Sequence, residues 1–173
     1  IISNKTFSKR KILKKDKRGV LYLIKDNNKI YYNKLIERFK KIENFDLERV
    51  IFLDPLTRDD YINHLGTSSV LLDPLYFGAG NSFHESMVYG TPTVTMPTKF
   101  IKSRIVSAAY IQMEINNSPV VKTKNEYIEL AVDIANSENL LEIKKYYQTR
   151  AKEKLFNTSK AGEEFNKILL KLN

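Results

Sequence analysis

The sequence contains no cysteine, which removes disulfides and thiolate metal ligands from consideration. Two histidines, His64 and His84, are too few for a histidine-based zinc site. No Asp-x-Asp pair is present, because Asp59-Asp60 lack that spacing, so neither a metal nor a cofactor is expected. No apolar run is long enough for a membrane-spanning helix. The opening Ile1-Ile2-Ser3-Asn4-Lys5 offers neither an initiator Met nor an apolar signal core. The chain is therefore read as a fragment of a cytoplasmic protein. Internal repeats and low-complexity tracts are also absent.

What is present suits one α/β domain. The 173 residues can enclose a sizeable core, and 42% apolar with 28% charged residues is ordinary for a globular chain. The net charge is +9, concentrated in Lys5, Lys9, Arg10, Lys11, Lys14, Lys15, Lys17 and Arg18. Such a cluster fits a nucleic-acid or anionic surface, and it equally fits a solvated helix face. Only Phe7 interleaves with these charges, which weakens a single-strand-binding reading.

Periodicity predicts a helix over Thr6 to Lys15, then a strand at Val20-Leu21-Tyr22-Leu23-Ile24. That continuous apolar run is the pattern of a strand buried on both faces. A loop at Asp26-Asn27-Asn28, a helix over Ile30 to Ile42 and a strand at Val50 to Leu53 follow. Thr57 is the expected N-cap of the next helix, with Asp60 in the capping-box position and Gly66 at its end. Strands at Val70 to Leu72 and Thr93 to Met96 flank a helix over Asn81 to Tyr89. Further helices are expected over Lys99 to Met113, Glu126 to Ala135, Leu140 to Phe156 and Gly162 to Leu172, with a break at Asn157-Thr158-Ser159. Alternating strands and helices predict a Rossmann-like parallel sheet with helices on both faces. Residues 1–173 thus form a single domain, with about 140–173 as a helical extension. The Tyr31-Tyr32 and Tyr146-Tyr147 pairs are expected to pack rather than to bind sugar.

The segment from Leu71 to Pro92 runs strand, Gly-bearing loop, helix and tight turn. Ligands of open α/β sheets sit beyond the carboxyl ends of the strands. A helix that begins there presents unpaired N–H groups and the positive end of its dipole to an anion. Gly78 and Gly80 allow close backbone approach, and Asn81 and Ser82 add side-chain donors. Glu85, one turn on, suits a pair of ribose hydroxyls better than a phosphate. Phosphate donors followed by one acid fit a nucleotide diphosphate. The same residues also fit an ordinary βα turn with Asn or Ser as cap. Phe83 excludes a G-x-G-x-x-G fingerprint, and no Walker A loop is formed. His84 shares the helical turn of Glu85 and is read as a packing or phosphate-proximal residue. His64 is read as a surface or helix-end residue.

Glu85-Ser-Met-Val-Tyr-Gly-Thr-Pro92 resembles the Glu-x-x-x-x-Gly-x-Pro helix end of GT-B glycosyltransferases. Taken with Arg49-Val-Ile-Phe-Leu53, Thr57-Arg-Asp-Asp-Tyr61, Val70-Leu-Leu-Asp-Pro74, Phe77-Gly-Ala-Gly-Asn-Ser82, Gly90-Thr-Pro-Thr-Val-Thr-Met-Pro97, Ser103-Arg-Ile-Val106 and Leu155-Phe-Asn-Thr158, it is similar to the C-terminal catalytic half of the O-linked N-acetylglucosamine transferase family, especially bacterial SPINDLY-like members. The resemblance spans roughly Gly19 to Leu172. It implies UDP-N-acetylglucosamine or another UDP-sugar as donor, protein Ser or Thr hydroxyls as acceptor, and inversion at the sugar carbon. It implies a partner N-terminal GT-B half, tetratricopeptide repeats, and a phosphate-binding lysine, all ahead of Ile1. Catalytic residues are therefore not assignable within the chain. Carried over by position, Glu85 binds ribose where relatives have Asp, Asn81 and Ser82 meet the diphosphate, and Phe83 removes one donor. Tyr61 falls beside the nucleoside, Arg58 on a basic position near it, and Leu56 where backbone meets the uracil edge. Ser103-Arg104 matches without an assigned contact.

Two other classes remain open. A retaining GT-B enzyme acting on glycans or lipids would carry Glu where Phe77 stands. A non-catalytic nucleotide- or nucleic-acid-binding module would rely on the basic N-terminal face.

Overall fold

The computed structural model describes residues 3–25, 29–41 and 45–171. The loop expected at Asp26-Asn27-Asn28, and the helix ends expected at Ile42 and Leu172, lie outside the described residues. The chain runs α1 (Ser3–Lys15), β1 (Leu21–Ile24), α2 (Lys29–Lys40), a 3-10 turn (Leu47–Arg49), β2 (Val50–Leu53), α3 (Arg58–Thr67), β3 (Leu71–Leu72), α4 (Gly80–Met87) and β4 (Thr93–Val94). A second 3-10 turn (Ile101–Ser103), α5 (Ile105–Gln112), α6 (Lys124–Ala135), α7 (Leu140–Arg150), a π turn (Ala151–Leu155) and α8 (Ser159–Leu170) complete it. Among the described residues no helix is long and apolar enough to cross a membrane.

Among the described residues every strand pairing is parallel, as the alternation of strands and helices requires. β1 pairs with β2 in the register Leu21↔Val50 to Ile24↔Leu53. β3 pairs with β4 through Leu71↔Thr93 and Leu72↔Val94. Thr95 extends β4 by a single parallel bridge to Val120. β4 is thus shorter than the strand expected over Thr93 to Met96.

Among the described residues, three apolar clusters hold the layers. Leu13, Phe39 and Val50 pack α1 and α2 on the first strand pair. Leu75, Val94, Tyr127 and Ala131 pack α6 on the second. Phe83, Met87, Val106, Tyr110, Met113 and Tyr147 join α4, α5 and α7. Each side chain as fully buried as Phe83, Met87 or Met113 contributes roughly 1.5–3 kcal/mol by leaving water. The Tyr110 hydroxyl enters this core with partners on both sides: it accepts from the Thr93 N–H at 2.8 Å and donates to the Thr93 carbonyl at 3.1 Å. Burial pushes the phenol well above its usual range. Tyr147 is buried as expected, whereas Tyr31 and Tyr146 are exposed.

Several local expectations change. The continuous apolar strand at Val20 to Ile24 is not buried on both faces: Tyr22 and Ile24 are 45% and 44% exposed. Gly66 does not end α3, which continues to Thr67 with Ser68 as its cap. Its missing Cβ instead makes room for the Tyr89 ring, which would stand 2.6 Å away. The helix expected over Lys99 to Met113 is broken. Ser103 turns the chain first, its hydroxyl donating to the Phe100 carbonyl and accepting from the Thr98 N–H, and α5 starts only at Ile105. The helix over Leu140 to Phe156 changes pitch at Ala151, where one extra residue per turn makes the π segment. The final helix starts at Ser159, and the Asn157 carboxamide accepts from the Ser159 N–H at 3.1 Å.

The basic start of the chain is partly committed to the fold. α1 packs along α6, Lys15 pairs with Glu129, and the Arg18 guanidinium donates to Asn136. These contacts favour a structural role for that charge.

Candidate nucleotide-diphosphate site

α4 begins at the carboxyl end of β3, where the loop from Asp73 to Ala79 turns the chain. Its N-cap is Ala79, which has no side chain able to cap. The first-turn amides of a helix have no carbonyl partner within it. At Asn81 and Ser82, the second and third positions, this leaves donors at a helix end that carries positive partial charge. Asn81 is exposed, and Ser82 and Glu85 are half-buried. Asn81 and Glu85 stand four residues apart and share a helix face.

Asp73 organises the loop, a role that the sequence reading did not assign. It is 3% exposed. One carboxylate oxygen accepts from the Ala79 N–H at 2.6 Å, and the other accepts from the Thr95 hydroxyl at 2.5 Å. Its own carbonyl accepts from the Tyr127 hydroxyl at 2.9 Å. Burial pushes the Asp73 carboxyl above the usual range, opposed by the bonds from Thr95 and Ala79. The signal was available: an Asp closing an apolar strand ahead of a glycine loop.

The two loop glycines have different surroundings. Gly78 is buried, donates its N–H to the Lys102 carbonyl at 2.8 Å, and would place a Cβ 2.9 Å from that same oxygen. Its freedom therefore serves an approach within the chain. A Cβ on Gly80 would meet only Ile105, at 3.8 Å. The segment against Gly78 is the one that Ser103 and Arg104 shape. The Arg104 guanidinium donates to the Thr98 carbonyl at 2.9 Å and to that of Lys99. The pair thus folds the 98–104 loop onto the glycine turn. The Lys102 ammonium lies 5.9 Å from the centre of the exposed Phe77 ring, beside the same turn.

α3 brings the second group of residues to this edge. Thr57 caps it as expected, its hydroxyl accepting from the Asp60 N–H at 3.2 Å. The capping box does not close, because the Thr57 hydroxyl also donates to the Asp60 carboxylate at 2.7 Å. Asp is too short to reach back to the cap N–H as Glu does in such boxes. Leu56 is half-buried just ahead of the cap, and exposed Arg58 opens the helix. Tyr61, one turn on, donates from its hydroxyl to the Ser82 hydroxyl at 2.9 Å. The Ser82 proton stays available to a ligand.

Tyr61, Ser82 and the face of Asn81 and Glu85 therefore meet at one edge, while Leu56 and Arg58 stand a turn before Tyr61. His84 belongs to the helix itself, with its Nδ1 3.0 Å from the Gly80 carbonyl and its ring edge-on to Phe83. His64 is in the last turn of α3 but half-buried, edge-on to Tyr22.

The model of glycosyl transferase family 41 matches residues 3–165. A UDP-N-acetylglucosamine–peptide N-acetylglucosaminyltransferase of Caenorhabditis elegans is 21% identical over 136 residues, covering 78% of this chain and 12% of its own length. A solved structure, a mutant O-GlcNAc transferase of Thermobaculum terrenum, superposes with a TM-score of 0.79 at 20% identity. That match covers 92% of this chain and 32% of the other, and shows a shared Rossmann-like α/β fold. The chain thus spans about an eighth of the one relative and a third of the other.

Proposed function

The chain belongs to glycosyl transferase family 41, and on that premise we propose that it is the nucleotide-sugar-binding half of an inverting enzyme that moves N-acetylglucosamine from UDP to protein Ser or Thr hydroxyls. In such a transfer the acceptor hydroxyl attacks the anomeric carbon from the face opposite the diphosphate, its proton passing to a base outside this chain or to the departing phosphate. The bond from that carbon to the β-phosphate oxygen breaks, and UDP leaves with the electron pair. The charge that grows on the diphosphate needs donors already aimed at it. In this reading the amides and side chains of Asn81 and Ser82 supply them, without a metal.

The observation that carries the reading is the bond from Tyr61 to Ser82. It fixes an aromatic ring beside the helix end proposed to hold phosphate, as a base attached to that phosphate requires. Glu85, one turn deeper on the Asn81 face, is proposed to accept from the ribose hydroxyls, and the backbone at Leu56 to meet the uracil edge. Arg58 is proposed to add positive charge nearby. Phe77, where a retaining enzyme would carry Glu, favours inversion.

The chain alone is expected to bind UDP weakly and to transfer no sugar, because the acceptor groups belong to the other half. Titration calorimetry with UDP, with ADP as comparison, tests the binding. A folded chain that binds no uridine nucleotide overturns the reading, and measured turnover by this chain overturns the division of labour.

A further inference from the structure

α5 carries no charged residue, and its sequence Ile105-Val-Ser-Ala-Ala-Tyr-Ile-Gln112 is apolar nearly all round. Val106, Ala109 and Tyr110 enter the core, which accounts for one face. The other face, with Ile105, Ala108 and Ile111, is exposed. Ahead of it, Phe100 and Ile101 are 53% and 84% exposed. A helix that is apolar all round belongs inside a larger body, and an exposed apolar patch marks an interaction surface. The face is also concave. Ile101, Arg104, Ile105, Ala108 and Gln112, with His84 of α4, line a groove of about 340 Å³.

Charge on the rim indicates the occupant. From Ser86 to Met113 the sequence has three cations, Lys99, Lys102 and Arg104, and no carboxylate. Among the described residues none of the three enters an ion pair. The Lys99 ammonium lies 5.4 Å from the centre of the Phe100 ring, and Arg104 donates to backbone carbonyls. Glu114, which follows α5, is already paired with Arg150 and Lys154. A second copy seated isologously would set like charges against each other, whereas a partner rich in carboxylates complements them. The groove also adjoins the proposed diphosphate site. The Lys102 carbonyl accepts from the Gly78 N–H, and Ile105 stands beside Gly80.

We propose that this groove docks an acidic segment of the acceptor protein. One aliphatic or aromatic side chain anchors it over Ile101, Ile105 and Ala108, and flanking Asp or Glu residues face Lys99, Lys102 and Arg104. The eight residues of α5 make a helix about 12 Å long, so an extended segment crosses it in about four residues. Docked there, the segment raises the effective concentration of a neighbouring hydroxyl at the diphosphate end of the crevice. The acceptor role rests on the glycosyl-transfer reading, and the docking itself does not.

A displayed library of random peptides tests the proposal, each about eight residues long so that a crossing segment keeps flanks on both sides. It is selected on the 173-residue chain and counter-selected on the Ala108→Glu variant. Ala108 is exposed on its helix, so glutamate there is compatible with the fold, and an unchanged melting temperature checks this. Binders with Asp or Glu around Leu, Ile or Phe are expected. A synthetic copy of the leading binder, read by fluorescence anisotropy, should lose affinity about ten-fold or more in Ala108→Glu and in a Lys99→Glu, Lys102→Glu double variant. Its affinity should fall as salt rises and stay unchanged under saturating UDP. No enrichment, enrichment of basic peptides, or equal binding to the Ala108→Glu chain overturns the proposal. So does displacement by UDP, because the cations then serve the diphosphate. Dimerisation that Ala108→Glu abolishes also overturns it, because a second copy then covers the face. Peptide binding by a chain that binds no uridine nucleotide supports the docking and overturns only the nucleotide reading.

Discussion

The Tyr61 hydroxyl donates to the Ser82 hydroxyl across 2.9 Å and ties the second turn of α3 to the first turn of α4. Ring and hydroxyl have separable jobs. Tyr61→Phe removes one hydrogen bond and is expected to cost about 0.5–1.5 kcal/mol of stability, read from urea denaturation, with UDP affinity nearly unchanged. Tyr61→Ala removes the platform proposed for the base. A stacked base is worth about 1–3 kcal/mol, so calorimetry should show a loss of about five-fold or more. Equal UDP affinity in the alanine and phenylalanine variants would rule out stacking.

Glu85 is expected to act on the ligand and not on the fold. Glu85→Ala should leave the melting temperature within a degree or two, while a charge-assisted bond of about 1.5–3 kcal/mol is lost from UDP binding. The discriminating ligand is 2′,3′-dideoxy-UDP. It should bind the native chain and the variant alike, and a variant that still prefers UDP would remove Glu85 from the ribose.

Asp73 gives a prediction with a sign in pH. Its carboxyl is raised above the usual range, chiefly by burial. The folded state therefore holds its proton where the unfolded state has released it. Stability from this group is fully present below the unfolded value and declines as pH rises through the raised folded one. Asp73→Asn should flatten that slope, measured by denaturation between pH 4 and 7, because a carboxamide does not titrate; its oxygen can still accept from the Ala79 N–H while its amide donates to the Thr95 hydroxyl. Asp73→Ala orphans the Ala79 N–H and the Thr95 hydroxyl, at about 1–3 kcal/mol for each buried group. Parallel pH profiles for the native chain and the asparagine variant would contradict the account.

Two glycines are expected to respond oppositely to alanine. Gly90 has φ +67° and would press a Cβ into the Lys144 carbonyl. Gly90→Ala should therefore destabilise well beyond the ~1 kcal/mol that ordinary glycine substitutions span. Gly162 lies within α8 with open space around it. Gly162→Ala should raise stability by up to about 1 kcal/mol through helix propensity. Thermal denaturation of the two variants side by side decides the matter.

The contrast between these glycines also marks what the sequence could convey. Local chemistry was legible: the Thr57 cap, the turn at Gly90-Thr91-Pro92, and the helix after Gly80 follow from short-range preferences. The family's motifs were legible for the same reason, since they cluster on that strand, loop and helix. Contacts between distant segments were not. Gly66 reads as a helix end, and only the Tyr89 ring beside it explains why it sits inside the helix. Gly78 reads as a place for a ligand, yet its close neighbour is the Lys102 carbonyl. Asp73 reads as a strand terminator, and its partners Thr95 and Tyr127 lie 22 and 54 residues away. The apolar run at Val20 to Ile24 reads as a strand buried on both faces, yet Tyr22 and Ile24 are exposed, because periodicity alone cannot tell whether a strand is covered on both sides.

The Lys144 ammonium donates to the carbonyls of Gly66 and Ser68 at 2.7 and 2.6 Å, 78 and 76 residues back along the chain. Its own carbonyl abuts Gly90. The buttress for α3 and for the turn after α4 thus leaves the ribosome 54 residues after the Gly90 that it supports. At synthesis rates of about 5–20 residues per second, the proposed ligand-binding edge spends several seconds complete in sequence but without its support. Nascent chains stalled ahead of α7 should accordingly be cut by protease between α3 and β3, and chains stalled well beyond Arg150 should resist.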